Sequence, residues 1–142
     1  MSMKLRHVGI VVSNLPKMIH FYTEVLGLPQ PQIQIETGPY IDNIFHKDNV
    51  IIKTIKFIEA GIELIVIERP FKPVKWIATE LHDVAITHYS LTVQYLENIR
   101  EKLKINNVDI HCDIQTSPNG KVKNMFIKDP DGNILELVEE IQ

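Results

Sequence analysis

The sequence predicts an α+β protein in which one unit, a strand, a helix and three further strands, occurs twice. Two observations carry this. Short apolar runs of strand length alternate with only two clear stretches of helical period, and the order of elements after about residue 84 repeats the order before residue 68. A third strengthens it: each repeat has a histidine at the start of its first strand and a glutamate inside its last.

Leu5 to Val12 (LRHVGIVV) is the first strand. Side chains alternate faces along a strand, so Val8, Ile10 and Val12 share one face and His7, Gly9 and Val11 the other. Ser13 or Asn14 can accept from free amides at a helix start, and Pro16 suits the first turn, where its missing N–H costs nothing. Met18, Ile19, Tyr22, Val25 and Leu26 then recur at helical spacing, and Gly27 ends the helix by tolerating a left-handed cap. The stretch from Pro29 to Val50 mixes Pro, Gln, Gly and Asp without a clean period and reads as an irregular strand and a loop, a candidate lid. Val50 to Ile58 and Ile62 to Glu68, joined by Glu59-Ala60-Gly61, predict an antiparallel hairpin. Arg69 to Asp83 is the most linker-like segment, with room for a helical turn or two in KWIATELHD.

The pattern then returns. Thr87 to Val93 is a strand with Tyr89, Leu91 and Val93 on one face and His88, Ser90 and Thr92 on the other. Leu96, Ile99 and Leu103 mark a helix ending near Asn106-Asn107, where Asn accepts the left-handed cap. Strands follow at Val108 to Asp113 and Lys121 to Lys128, with a tight turn at Asn119-Gly120. Asp129-Pro130-Asp131-Gly132 is a turn with a structural explanation and no assigned catalytic role, and Asn133 to Glu139 is the last strand. In IELIV, Glu63 lies opposite in face to Ile62, Leu64 and Val66; in ILELV, Glu136 lies opposite to Leu135 and Leu137.

Composition narrows the function. A chain of 142 residues suffices for one well-buried domain, here of two modules at about residues 4–68 and 84–140. Fifteen basic and eighteen acidic residues give a net charge of −3 with no basic block, which argues against nucleic acid as a partner. The single cysteine, Cys112, excludes an intramolecular disulfide and reads as an inert thiol. Neither a signal peptide nor an apolar stretch of membrane-spanning length is present, so the expectation is a cytoplasmic protein without a membrane partner. His20, His46, His82 and His111 lack a recurring acidic counterpart and read as surface or packing residues. Lys53, Lys56, Lys121 and Lys123 have the reach to meet a phosphate or carboxylate, though solvated strand-edge lysines are commoner.

HVGIVVSNLPKMIHFYTEVLGL, GIELIV, THYSLTV and KDPDGNILELVE, in this order, resemble the vicinal oxygen chelate superfamily, which includes glyoxalase I, methylmalonyl-CoA epimerase, extradiol dioxygenases and bleomycin-binding proteins. The resemblance implies a glyoxalase-like fold of paired βαβββ modules forming a cupped mixed sheet around one divalent metal per site, Zn, Ni, Co, Mn or Fe. Carried over residue by residue, the ligands are His7, Glu63, His88 and Glu136. Two carboxylates desolvated in an apolar cup cost several kcal/mol unless compensated, and a divalent cation compensates them while leaving positions open for a small-molecule substrate with adjacent oxygens. The implied activity is a metal-dependent lyase or isomerase that abstracts a proton next to a carbonyl, with Glu136 or Glu63 as base. Separate bases of the epimerase kind would come from Glu36, Asp42 or Asp48. The alternatives are a dioxygenase, which needs only three protein ligands, and a metal-free antibiotic-binding protein, which would favour a groove lined with aromatics, whereas this chain has a single tryptophan, Trp76. A homodimer is expected; exchanged modules would draw His7 and Glu63 from one subunit and His88 and Glu136 from the other.

Overall fold

The computed structural model describes residues 2–70, 72, 74 and 78–142. It contains two four-stranded mixed sheets and three α-helices, as the α+β expectation requires. The chain divides into two compact units. One holds the chain up to Leu15 and from Leu28 into the linker; the other holds Pro16–Gly27 and everything after the linker. The first helix of the sequence thus belongs to the unit built on the second sheet.

In the first unit, β1 (Val8–Val11), β2 (Gln32–Thr37), β3 (Ile51–Phe57) and β4 (Ile62–Arg69) are ordered β1-β4-β3-β2. β1 runs parallel to β4, with Gly9 beside Glu63, and the other pairs are antiparallel, including the expected β3–β4 hairpin. Gly61 closes that hairpin at φ 67°, a conformation that a Cβ strains. The register separates two faces. Ile55, Phe57, Ile62 and Leu64 are buried on one; Thr54, Lys56, Glu63, Ile65 and Ile67 share the other. The stretch read as strand and loop is more ordered than its sequence suggests: after β2 comes α2 (Pro39–Phe45). Pro39 opens it where no N–H is needed, Gly38 precedes it at φ 100°, and Asp42 accepts from the backbone N–H of Asn49 (3.1 Å) and Val50 (2.8 Å). Ile41, Val50 and Ile52 form a buried cluster with Phe45, Ile65 and Ile67, so this segment roofs one end of the Glu63 face.

In the second unit, β5 (His88–Thr92), β6 (Ile110–Thr116), β7 (Val122–Lys128) and β8 (Ile134–Glu140) repeat the order as β5-β8-β7-β6, with β5 parallel to β8. α3 (Leu96–Ile105) buries Leu96 and Leu103, and its first amide is capped by the Glu139 carboxylate (Leu96 N to Oε2, 2.7 Å). Asn107, at φ 55°, takes the left-handed position beyond it. β6 extends beyond the predicted Asp113, and a five-residue loop holds the β6–β7 turn, with Ser117 Oγ against Asn119 (2.7 Å) and Gly120 alone of the Asn-Gly pair at positive φ. Lys75, Trp76 and Ile77 of the linker's KWIATELHD lie outside the described residues; the rest forms a turn held by Asp83, whose carboxylate accepts from the backbone of Thr79 and Glu80.

The helix begun by α1 (Leu15–His20) widens to a π-helical stretch at Phe21–Val25. Thr23 Oγ1 donates to the Ile19 carbonyl (2.6 Å) and Leu26 N–H bonds five residues back to Phe21 (2.9 Å). This turn buries Phe21, Tyr22 and Val25. The Tyr22 hydroxyl meets the Tyr89 hydroxyl and donates to Asp129 Oδ2 (3.3 Å). Asp129, the first residue of the DPDG turn, is 5% exposed and also accepts from Asp131 N, Asn133 N and Asn133 Nδ2 at 2.8–2.9 Å. The turn is therefore a buried hub that ties a helix to the end of β7.

Burial raises the Asp129 carboxyl above its ordinary 3.8, against the donors of Asn133 and Asp131, which pull it down. The folded chain holds this proton more tightly than the unfolded chain, so the contribution is fully present below pH 3.8 and is lost as pH rises through the folded value. Urea titrations across that window are expected to show a decline in stability that Asp129→Asn flattens. Tyr22→Phe, which leaves Tyr89 and Asp129 short of a partner, is expected to cost about 1–3 kcal/mol in the same titrations at pH 7.

Candidate metal centre

Each predicted ligand pair is brought together by one parallel strand pairing. In the first unit, Val8 N–H bonds the Gly61 carbonyl (2.8 Å) and Val8 pairs with Ile62, which sets the residue before β1 against the residue after Ile62. His7 Nε2 lies 3.0 Å from Glu63 Oε2. In the second unit His88 pairs with Ile134, and His88 Nε2 lies 4.0 Å from Glu136 Oε1. Both carboxylates are largely covered, with side chains 13% and 19% exposed, while the imidazoles are more open at 41% and 34%.

The second pair has supports absent from the sequence reading. Asn124 Nδ2 donates to Glu136 Oε2 (2.8 Å), which leaves Oε1 facing His88. Thr87 Oγ1 sits 2.9 Å from His88 Nδ1, and in the tautomer that donates Nδ1–H to it, Nε2 keeps its lone pair. The Phe126 ring stands edge-on to the imidazole, with centroids 5.3 Å apart. Asn124 and Phe126 lie two residues apart on β7, on the face of Glu136, which is the signal that would have found them: polar and aromatic neighbours across the strand from a candidate ligand.

The donor set suits a divalent cation. Two ligands about 2.1 Å from one metal at right angles lie about 3 Å apart. The His7–Glu63 separation of 3.0 Å matches this, and the His88–Glu136 separation of 4.0 Å is wider. Among the described residues no three His, Cys, Asp or Glu side chains gather as a metal-holding group; the donors come as pairs. His20 lies on α1, His46 follows α2, and His111 is on β6.

A family model described as the Glyoxalase/Bleomycin resistance protein/Dioxygenase superfamily matches residues 4–137. The chain belongs to this superfamily. Among solved structures, a glyoxalase family protein from Bacillus cereus superposes with a TM-score of 0.84 at 16% identity, covering 100% of this chain and 97% of that one. The trypanothione-dependent glyoxalase I of Leishmania major gives 0.63 at 22% identity over 98% and 88% of the two chains. A glyoxalase family protein from Enterococcus faecalis gives 0.59 at 23%, over 96% and 97%. These similarities establish a glyoxalase-like fold. A search of the curated proteins finds no match. Members of the superfamily include enzymes that use a divalent metal, and some members are not enzymes. No helix among the described residues is long and apolar enough to cross a membrane.

Proposed function

We propose that the protein is a divalent-metal-dependent lyase or isomerase of the glyoxalase I or epimerase type, acting on a small molecule bound through two adjacent oxygens. The observation that carries this is the recurrence, at the same place in both βαβββ modules, of one imidazole nitrogen and one carboxylate oxygen separated by 3.0 and 4.0 Å. His7, Glu63, His88 and Glu136 would hold Zn, Ni, Co, Mn or Fe. The full set needs both pairs. The protein is expected to be a homodimer; if its modules exchange, His7 and Glu63 come from one subunit and His88 and Glu136 from the other.

Held by these four side chains, a divalent cation would polarise the substrate's oxygens and would stabilise the negative charge left when the neighbouring carbon loses a proton. The two glutamates differ in freedom. Glu136 has one oxygen held by Asn124, whereas the described partner of Glu63 is His7 alone. A base must move to its proton and then carry it, so Glu63 takes the proton and Glu136 stays fixed. His7 orients Glu63 before transfer, and Thr87 and Phe126 fix the His88 ring.

Elemental analysis after mild purification is expected to find a stoichiometric divalent metal that Glu136→Gln and His88→Ala both lose; a wild type that neither carries metal nor takes it up on dialysis overturns the proposal. With the methylglyoxal–glutathione adduct as probe, Glu63→Gln is expected to lower kcat by about 10²–10⁴. Asn124→Ala is expected to weaken metal affinity by about tenfold, read by competition with a chromogenic chelator. Mixing His7→Ala with His88→Ala subunits tests the exchange: hybrid dimers recover metal at one intact site if ligands come from two chains, and recover none if each site lies within one chain.

A further inference from the structure

The two modules act as controls for one another, because the same registers carry different residues. Directly across the hairpin from Glu136 stands Phe126, and directly across from Glu63 stands Lys56. Two residues earlier on the same face are Asn124 in one module and Thr54 in the other. In the second unit both positions serve the ligands, Asn124 through its bond to Glu136 and Phe126 through its contact with His88. In the first unit neither does. Lys56 Nζ donates to Gln34 Oε1 on the adjacent strand (3.2 Å), and no carboxylate pairs with it among the described residues. Thr54 is 1% exposed, and its hydroxyl has no hydrogen-bond partner among the described residues.

Of the other lysines on the sheets, Lys53 pairs with Glu68 (3.7 Å) and Lys123 with Glu97 (2.6 Å), and Lys128 ends β7 in the second unit, two residues past Phe126; Lys121 is exposed in the loop before β7. Lys56 is half-buried, on the face and in the cross-strand row of Glu63, and adjoining strands lie about 4.8 Å apart. It also lines a shallow cleft of about 180 Å³ with Gln30, Gln32, Phe57 and Glu59. An ammonium group that makes no ion pair within 4 Å among the described residues, half-buried beside a candidate ligand and bonded to an amide that can turn, is arranged to receive negative oxygen.

We propose that Lys56, with Gln34, forms an oxyanion subsite beside Glu63, so that the substrate carries a carboxylate or phosphate in addition to its two chelating oxygens. The inference rests on the proposed metal-dependent function and deepens it by naming the substrate class. An amide side chain such as Gln34 can turn its nitrogen toward an anion once Lys56 engages it.

Isothermal titration of the metal-loaded protein with glycolate, hydroxymalonate and 3-phosphoglycerate tests this. Glycolate supplies the chelating oxygens alone; hydroxymalonate keeps them and adds a carboxylate, 3-phosphoglycerate keeps them and adds a phosphate, and the tighter of the two identifies the group. At least one charged probe is expected to bind tenfold or more tighter than glycolate. Lys56→Gln is expected to abolish that advantage and Lys56→Arg to keep it, both with unchanged glycolate affinity and metal content. Equal affinity for all three probes in the wild type, or an advantage that survives in Lys56→Gln, overturns the subsite. If the wild type takes up no metal, the metal-dependent function fails separately, and the same comparison run on the metal-free chain still decides the subsite: Lys56-dependent binding of a charged probe upholds it, and its absence overturns it.

Discussion

The parallel pairing of each module's first strand with its last is the constraint on which the site depends. It joins segments far apart in sequence, His7 with Glu63 and His88 with Glu136, and neither pair exists without it. Its register matters more than its strength, because a slip of one residue turns every side chain to the other face. In the first unit the register is held by Val8 N–H on Gly61 and Val12 N–H on Ile65; in the second, Val93 N–H bonds Val138. The buried aliphatics opposite, among them Leu64, Leu135 and Leu137, enforce the same choice, since a slip would exchange them with the glutamates.

Within this common frame the modules have diverged in how they treat their glutamate. Glu136 sits in a finished setting, one oxygen bonded to Asn124 and the neighbouring His88 ring held by Thr87 and Phe126. Glu63 sits in an open one, with His7 on one side and Lys56 across the strand. The repeated donor pairs therefore have unequal surroundings, and much of the difference resides in two positions of one strand in each module, Thr54 and Lys56 on β3 against Asn124 and Phe126 on β7.

The repeat, its strands and the two His–Glu pairs were legible because each depends on local alternation: ILELV and IELIV show their odd carboxylate without any tertiary knowledge. α2 was not legible, since its seven residues show Ile41, Ile44 and Phe45 for barely one helical turn; Asp42 and the Ile41 cluster secure it through contacts that no window of sequence displays. The π-helical widening escaped for a similar reason, arising where a threonine hydroxyl takes the Ile19 carbonyl. The DPDG segment was legible as a turn but not as a hub, because the burial of Asp129 and its bond from Tyr22 join residues 107 apart in sequence. Asn124 gained meaning only once the register placed it on the face of Glu136, and Lys56, one of four lysines with the reach to meet an anion, stood out from the others only once the register set it across from Glu63.

The Asp42 carboxylate fastens α2 to the start of β3 through two backbone amides, with Ile41 and Phe45 pressed onto Ile52, Ile65 and Ile67. Such a fastening makes the helix and the strand beneath it move as one body. It acts as a fixed end wall. Under the proposed function, a substrate lying along the Glu63 face of that sheet would meet this apolar stop on one side and the row of Gln32, Lys56 and Glu63 on the other, which would limit its chain length in one direction.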